Sequence, residues 1–282
     1  MYDIAIIGGG PAGVSAALNA KLLNKSFIWF SSRSTSKKVE RAELIKNYPG
    51  LPDISGSQLA LALKRHADSM GIELREEVVT GVYETDGKFT LLAGNKDYEA
   101  KTVILCLGVE ASKPALGEEE FLGRGISYCA TCDGMLYKGK NIAVVCMDKS
   151  FEHEIEFLCS IANKCSVFPL YKGYEIKSQN AEIMQKTPTK YTGDMRVRHV
   201  HFKDGSIEVD GVFILKSAIS PATLVHGLGV KEGHISVDRA CATNIPGIFA
   251  AGDCTGRPYQ YAKAVGEGNV AIHSAIEYLA KT

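Results

Sequence analysis

The sequence opens on a strand, a glycine turn and a helix, and this succession limits the possible folds more than any other feature. Residues 2–7 form a short apolar run, and the turn GGGPAG follows at residues 8–13. Residues 14–23 have the pattern of a helix with small residues on its packing side, and residues 25–30 have the pattern of a second strand. A strand–helix–strand unit of this kind predicts an α/β protein.

The glycine turn has the spacing of a dinucleotide-binding turn. Glycines let the backbone bend sharply and approach a pyrophosphate, and the start of the next helix offers unpaired N–H groups with a partial positive charge. The acidic residue that usually follows the second strand is missing, since Phe30 is followed by Ser31, Ser32 and Arg33. The turn therefore predicts a dinucleotide and leaves the choice between FAD and NAD open, with a tight turn that binds no ligand as the alternative.

A second signal lies near the end of the chain, where a strand runs into AAGD at residues 250–253. An aspartate at a strand end, just before a helix, can hold the ribityl chain of a flavin and face its ring system. The alternative role for Asp253 is an ordinary helix cap. In combination with the first turn, this pattern favours FAD as the cofactor.

The segment CATCDG at residues 129–134 carries the chemistry. Two thiols separated by two residues close a small ring at low entropic cost, so Cys129 and Cys132 can cycle between dithiol and disulfide. One sulfur can face a flavin while the other attacks an external disulfide, and Asp133 can supply or accept a proton. Half of a metal site and a structural disulfide are the alternatives, but no second close-spaced pair supports a zinc site, so we expect no metal.

Composition narrows the class of protein. The chain has 282 residues, is 45% hydrophobic, and carries 32 Lys and Arg against 32 Asp and Glu, which favours neither nucleic acid nor a membrane surface as its partner. A strand that begins at Asp3 leaves no room for a signal peptide, and no apolar run approaches the roughly 20 residues of a bilayer span. We therefore expect a cytoplasmic protein, in which cysteines outside the CATC segment are small buried hydrophobes rather than a disulfide framework.

Changes of pattern along the chain predict three segments. A first FAD-binding part covers residues 1–112, an inserted α/β part that carries the CATC segment covers 113–216, and a second FAD-binding part covers 217–282. The chain crosses between them near residues 111–117 and 215–221, and these two stretches are candidate hinges.

These motifs together resemble the low-molecular-weight thioredoxin reductases, and the resemblance covers nearly the whole chain. It rests on GGGPAG at 8–13, NYPG at 47–50, CATCDG at 129–134 and IPGIFAAGDC at 245–254. The resemblance implies two Rossmann-like domains, with the FAD domain interrupted in sequence by a pyridine-nucleotide-type domain, and a homodimer.

The resemblance also implies roles for individual residues. Cys132 contacts the flavin, Cys129 attacks thioredoxin, and Asp133 is the acid and base. The residues implied or expected to contact FAD are Gly8, Gly10, Pro11, Ala12, Gly13, Asn47, Gly108, Gly252, Asp253 and Tyr261.

The inserted part departs from that family where NADPH should bind. The turn after its first long strand reads CMDKSF at residues 146–151, with no glycine between Gly139 and Gly173, so every residue there carries a Cβ that hinders a pyrophosphate. Asp148 also places negative charge where an anion would sit. No arginine occurs from residue 125 to 195 to hold the 2′-phosphate. Two missing features argue against NADPH as the donor.

The remaining pattern resembles the ferredoxin-dependent flavin thioredoxin reductases, which keep the CATC segment and lack the NADPH motifs. A flavin accepts electrons singly, so a small acidic iron–sulfur protein suits it as donor. Such a partner requires a basic docking surface, and the alternative role for a basic stretch is an ordinary solvated face. The candidate basic stretches are Arg33, Lys37, Lys38 and Arg41, and Lys64 to His66.

A further departure from the family is Tyr261, which stands where the family has glutamine. Its side chain either covers the flavin or packs the helix.

Four alternatives stay open from the sequence. A dithiol oxidase would pass electrons from a small dithiol to oxygen, although Asp133 favours the reductase because those oxidases tend toward histidine at that position. A diflavin-linked oxidoreductase would hold a second flavin in the degenerate site. An atypical NADPH-dependent thioredoxin reductase would bind the nucleotide in another way. A flavin-binding module without enzymatic activity would tolerate the loss of Cys129.

Overall fold

The computed structural model describes residues 1–109, 115–216 and 220–282, with the Cys132 side chain also left out. Its contacts divide the chain into a first unit, Met1–Glu110 with Ser220–Thr282, and a second unit, Ala111–Ile219. The predicted segment boundaries stay predictions, since residues 110–114 and 217–219, within or beside the two predicted crossings, lie outside the described residues. The predicted α/β class, with a first unit made of two separate pieces of chain, is confirmed.

The first unit is built on a sheet in which strand order differs from chain order. Its order is β2-β1-β5-β4-β3, with β1 parallel to both of its neighbours and β4 antiparallel to both β3 and β5. The elements in chain order are β1 (Tyr2–Ile7), α1 (Pro11–Leu22), β2 (Phe27–Phe30), α2 (Lys37–Glu40), α3 (Gly56–Ser69), β3 (Val79–Thr85), β4 (Lys88–Ala93) and β5 (Lys96–Leu105).

Local chemistry explains where these elements begin and end. Helix α1 begins at Pro11, three residues before the predicted start, because proline suits the first turn, where its missing N–H would be unpaired in any case. Helix α3 begins with a capping box between Ser55 and Gln58, and it ends before Gly71, whose φ is +64°.

The second unit contains a parallel sheet and a separate antiparallel one. The parallel sheet has the order β6-β13-β7-β8-β9, and the antiparallel sheet β10-β11-β12 was not predicted from the sequence. The elements are β6 (Ile126–Ser127), α4 (Ala130–Asp133), β7 (Asn141–Cys146), α5 (Glu152–Ile161), β8 (Lys164–Pro169), β9 (Ala181–Ile183), β10 (Lys190–Gly193), β11 (Val197–Phe202), β12 (Gly205–Glu208) and β13 (Gly211–Leu215).

The last part of the chain completes the first unit. Strand β16 adds to the sheet beside β5 in parallel, and α7 packs against α1, where a Cβ on Gly268 would come within 2.2 Å of the Ala12 carbonyl oxygen. Among the described residues, no helix has the length and apolar character needed to cross a bilayer. The elements are α6 (Pro221–Leu224), β14 (Val230–Lys231), β15 (His234–Ile235), β16 (Ile248–Ala250) and α7 (Tyr261–Leu279).

The cysteines outside the CATC segment divide into two groups. The four free thiols are buried, as predicted for small hydrophobes: Cys106, Cys146, Cys241 and Cys254. The prediction was wrong for Cys159 and Cys165, which form a disulfide. Helix α5 and strand β8 bring their Cα atoms to 5.2 Å, which lies within the range that a disulfide bridges. A spacing of six residues gave no sequence signal for this contact between helix and strand.

A buried ion pair joins three distant parts of the second unit. The Lys216 ammonium lies 2.8 Å from Glu118 Oε1, and these side chains are only 4% and 2% exposed. The Tyr128 hydroxyl donates to the same carboxyl oxygen at 2.8 Å, and the Lys216 ammonium lies 4.5 Å from the centre of the Tyr128 ring. Glu118 also accepts from the N–H of Ala115 at 3.0 Å. The pair therefore fixes the segment directly before Cys129 to both ends of the unit.

We expect Lys216→Met to destabilise the second unit by about 3–5 kcal/mol, because it leaves the Glu118 carboxylate buried without its cation. The double variant Glu118→Gln/Lys216→Met should recover most of this loss, since it removes both charges and keeps an acceptor for Tyr128. Urea unfolding followed by circular dichroism measures both.

The exposed pair of Lys164 and Glu182 provides the control, because its N–O distance is also 2.8 Å. Lys164→Met should cost only about 0–1 kcal/mol. Equal losses for the two single variants would contradict a structural role for the buried pair.

Candidate active site

Two cavities flank the glycine turn of the first unit. The larger, about 350 Å³, lies at the ends of β5 and β16, and the smaller, about 240 Å³, lies between α1, α3 and Trp29. Pro11, Ser36 and Val39 line both cavities, so together the cavities follow the turn on either side. The predicted FAD contacts that line the larger cavity are Gly10, Pro11, Ala12, Asn47, Gly108, Gly252, Asp253 and Tyr261.

The start of α1 suits the pyrophosphate of a dinucleotide. Gly10 precedes the helix without a side-chain cap, and the first turn carries no acidic residue. A Cβ on Gly10 would meet no protein atom within 4 Å, so the glycine leaves open space beside the helix N–H groups. These features, with a cavity on each side of the turn, fit an extended FAD whose phosphates lie at Gly10.

Gly8 and Gly13 serve the turn in a different way from the cavity residues. A Cβ on Gly8 would lie 2.1 Å from the Cys106 carbonyl oxygen, and a Cβ on Gly13 would lie 1.9 Å from the Gly8 carbonyl oxygen. Neither glycine lines either cavity. Their predicted contact with FAD stays a prediction, while the structure assigns them to the close packing of β1, β5 and α1.

Helix α7 holds the turn that follows β16. The Gly252 N–H donates to the Glu267 carboxylate at 2.8 Å, and the Gly252 carbonyl accepts from the Lys263 ammonium at 2.8 Å. Asp253 forms an ion pair with Lys38, which also lines the larger cavity. Sequence reasoning did not find Lys263 and Glu267 because their role depends on helix packing rather than on a motif.

Tyr261 is the first residue of α7. The sequence left two roles for it, covering the flavin or packing the helix, and the structure partly fits both. Its side chain is half-buried against the core cluster of Val39, Ile45, Leu59 and Ala60, and it also lines the larger cavity beside Asn47. The Asn47 side-chain amide donates to the Gln260 side-chain oxygen Oε1 at 2.8 Å. The residues on either side of the cavity are therefore linked by a direct hydrogen bond.

The CATCDG segment of the second unit forms a single helical turn. The Cys129 N–H donates to Ser127 Oγ at 3.0 Å, and Cys129 Sγ lies 3.5 Å from Thr131 Oγ1. The Cys129 sulfur is in a disulfide, but the Cys132 side chain lies outside the described part, so its pairing and flavin contact stay predictions. Asp133 is half-buried at the end of the turn.

Gly134 fits the same turn against helix α5. A Cβ at this position would lie 2.8 Å from the Phe157 ring and 3.2 Å from Leu158. The final glycine of the motif is therefore required by packing. It brings the reactive turn onto the first two turns of α5.

Glu154 is a site residue that the sequence did not identify. Burial raises the pKa of its carboxyl, against smaller opposing effects of His153 and of a hydrogen bond from the backbone N–H of Ala130. A carboxyl that keeps its proton to higher pH thus lies beside the residue that follows Cys129. Its position on α5 carries no motif, so only the fold reveals it.

No cluster of metal-binding side chains occurs among the residues that the structure describes.

The turn after β7 is closed by its own side chains. Asp148 caps the following helical segment by accepting from the Ser150 N–H at 3.0 Å and from its hydroxyl at 2.9 Å. Glu152 accepts from the Tyr171 hydroxyl and from the Glu175 N–H, both at 2.9 Å. Burial raises the pKa of the Cys146 thiol in this turn to about 12, so the thiol stays protonated near neutral pH.

Comparisons with known proteins agree with these features. Residues 2–146 and 175–268 match the family of pyridine nucleotide-disulphide oxidoreductases. The chain is 30% identical to the thioredoxin reductase of Bacillus subtilis, over 99% of this chain and 95% of that protein. A crystal structure of a ferredoxin-flavin thioredoxin reductase from Clostridium acetobutylicum is similar with a TM-score of 0.93 and 44% identity, over 99% of this chain and 98% of that chain.

Another structure is similar at a lower identity. An atypical thioredoxin reductase from Desulfovibrio vulgaris Hildenborough has a TM-score of 0.69 and 28% identity, over 100% of this chain and 99% of that chain. These relatives are thus matched along at least 95% of their length and across both units of this chain.

Substitutions at Gly10 and Gly13 should separate cofactor binding from folding. We expect Gly10→Ala to fold normally but to bind FAD about tenfold more weakly or worse, a loss of about 1.4 kcal/mol, because the methyl group enters the space beside the phosphates. Gly13→Ala should instead destabilise the first unit by about 3 kcal/mol or more, through overlap with the Gly8 carbonyl. Flavin fluorescence titration and thermal unfolding measure the two effects; unchanged FAD affinity in Gly10→Ala would exclude the proposed phosphate position.

The raised pKa of Glu154 predicts a pH-dependent effect of Glu154→Gln on stability. The folded protein retains this proton above the ordinary pKa of 4.5, so the contribution of Glu154 to stability is present below pH 4.5 and is lost as pH rises through the raised value. The variant should therefore gain stability relative to wild type from pH 4.5 toward pH 7. Thermal unfolding across this range measures the difference. Glu208→Gln, at an exposed position, should show no such trend, and a constant difference for Glu154→Gln would contradict the prediction.

Proposed function

We propose that this chain, which belongs to the family of pyridine nucleotide-disulphide oxidoreductases, reduces the disulfide of thioredoxin with electrons that its FAD receives from a ferredoxin. The chain is an FAD-binding disulfide oxidoreductase of the thioredoxin reductase type. The proposal concerns the two partners and the residues that carry electrons between them.

The observation that carries the proposed donor is the closed turn after β7. In a pyridine-nucleotide domain, the start of the following helix offers N–H groups to a pyrophosphate. Here Asp148 accepts from the Ser150 N–H, and Glu152 and Glu154 add two carboxyl groups in the first turn of α5. An anionic dinucleotide would have to displace this cap and approach these carboxyl groups. The electron donor is therefore a protein rather than NADPH.

A second observation concerns the segment after β8, where a nucleotide's ribose phosphate would need cations. Glu175 pairs with Lys149 at 2.9 Å, and Tyr171 donates to Glu152 at 2.9 Å. The segment is therefore tied to the helix start by its own polar groups. Lys149, the cation that this turn contains, already has a carboxylate partner.

The CATC residues supply the thiol chemistry in this proposal. FAD, when bound, takes up electrons singly and passes them on as a pair. In the dithiol form, the Cys129 thiolate attacks the thioredoxin disulfide, so one S–S bond breaks as a mixed disulfide forms. The Cys132 thiolate then attacks Cys129, which restores the Cys129–Cys132 disulfide and releases thioredoxin with both sulfurs reduced. Asp133 takes the proton that Cys132 loses and gives it to the departing thiolate.

The resemblance to thioredoxin reductases also supports a homodimer and a cytoplasmic location, which we include in the proposal. Sedimentation equilibrium of the FAD-loaded protein tests the first. Fractionation of the native cells tests the second.

An anaerobic reduction series tests the donor. Reduced ferredoxin should bleach the flavin absorbance of the wild-type protein, whereas NADPH and NADH should leave it unchanged at equal concentration, because the turn after β7 is closed to a dinucleotide. Stopped-flow absorbance measures all three. Rapid bleaching by NADPH would refute the proposed donor, and oxygen uptake with small dithiols would indicate a dithiol oxidase instead.

A cysteine variant separates the two halves of the reaction. Cys129→Ser should still show flavin bleaching by ferredoxin, but its rate of thioredoxin reduction should fall by about three orders of magnitude, to the level of a protein without its nucleophile. If the variant lost flavin bleaching by ferredoxin as well as thioredoxin reduction, Cys129 would not be the residue that acts only in the second step.

A further inference from the structure

Positive charge is concentrated in two segments of the first unit. Residues 31–46 and 253–263 together contain seven lysines and arginines against three acidic residues, one of them the Asp253 that pairs with Lys38, whereas the whole chain carries 32 of each charge. These segments are far apart in sequence and belong to different elements. Their shared charge therefore identifies a surface only if the fold brings them together.

The fold brings both segments to the larger cavity. Lys38 and Leu44 from the first segment and Tyr259 from the second line its wall. The Lys38 ammonium lies 5.0 Å from the centre of the Tyr259 ring, and the Arg257 guanidinium lies 5.5 Å from the same ring. Two cations from different segments therefore flank one aromatic ring beside the cavity that fits the flavin.

The same rim has an exposed apolar centre. Tyr259 is 37% exposed and Leu44 is 51% exposed. His234 supports the ring from within the unit, with its Nε2 atom 2.6 Å from the Tyr259 hydroxyl. An apolar centre surrounded by positive charge is suited to a partner that carries negative charge around a small apolar contact.

We infer that this rim, formed by Lys38, Leu44, Arg257 and Tyr259, is the surface on which the acidic ferredoxin docks. The inference rests on the proposed function and specifies where its donor binds. A one-electron donor must bring its iron–sulfur cluster close to the flavin, and the rim borders the cavity that fits that group. The other basic stretch, at Lys64 to His66, does not border this cavity.

Charge reversal at Arg257 tests the docking surface in the FAD-loaded protein. Arg257→Glu should lower the second-order rate constant for flavin reduction by reduced, desalted ferredoxin by about tenfold or more at low salt, because the rim then repels its partner. This difference should shrink toward about twofold in 0.5 M salt, where screening reduces long-range attraction. Arg65→Glu, the same reversal on the exposed face of α3, should stay within about twofold of wild type at both salt concentrations.

Two further measurements separate docking from folding. Reduction by dithionite should be equally fast in all three proteins, since it needs no protein partner. Isothermal titration with oxidised ferredoxin should show weaker binding for Arg257→Glu alone. Should Arg257→Glu fail to retain FAD, Lys46→Glu, two residues from Leu44, is the replacement variant and should show the same salt-dependent loss.

The outcomes distinguish the docking surface from the donor. Equal rates for Arg257→Glu and Arg65→Glu, or a loss that salt does not change, would overturn the surface and leave ferredoxin as donor. A wild-type protein that ferredoxin does not reduce would overturn the proposed function and this surface with it.

Discussion

The contact between Gly8 and Gly13 is the constraint on which the first unit depends. The Gly8 carbonyl lies where a side chain at residue 13 would begin, so α1 can approach β1 only when residue 13 lacks a Cβ, and Gly8 itself must lack one because the Cys106 carbonyl fills that space. This approach places the start of α1 at the edge of the sheet, beside the ends of β5 and β16. The cavities on either side of the turn exist because the helix is held at that distance.

The second unit repeats the strand, turn and helix without this constraint. The turn directly after β7 contains no glycine, and Asp148 caps the following helical segment with its own carboxylate. The same topology can therefore be completed with a ligand at the helix start or with a side chain in its place. In this chain one unit uses the first arrangement and the other uses the second, so the inserted unit keeps its fold while its nucleotide chemistry changes.

The sequence predicted those parts of the structure that depend on neighbouring residues. The glycine turn and the strand that leads into the CMDKSF segment follow from local spacing, and each was found where it was expected. The larger cavity also gathers most of the predicted FAD contacts, because a motif places residues at strand ends that meet at one edge of a sheet. Periodicity and motifs are therefore sufficient for the α/β class and for the elements around the glycine turn, although not for the antiparallel sheet of the second unit.

The sequence did not predict features that depend on packing between distant segments. Glu154 matters because α5 lies against the CATC turn, and Cys159 meets Cys165 because a helix packs on the next strand. The pairing of Glu118 with Lys216 joins residues almost a hundred positions apart. No spacing rule relates such residues, since each is brought to its partner by the arrangement of whole elements.

The Glu118–Lys216 pair has a consequence for how the chain tolerates its large insertion. These two residues stand near opposite ends of the second unit, and their contact holds those ends together. The entropic cost of closing a loop depends on the separation of its ends and only weakly on the length of chain between them. For the first unit, an insertion whose ends are held together by an ion pair is therefore equivalent to a short loop. The inserted unit could therefore lengthen or shorten through evolution without weakening its host, as long as this one contact is preserved.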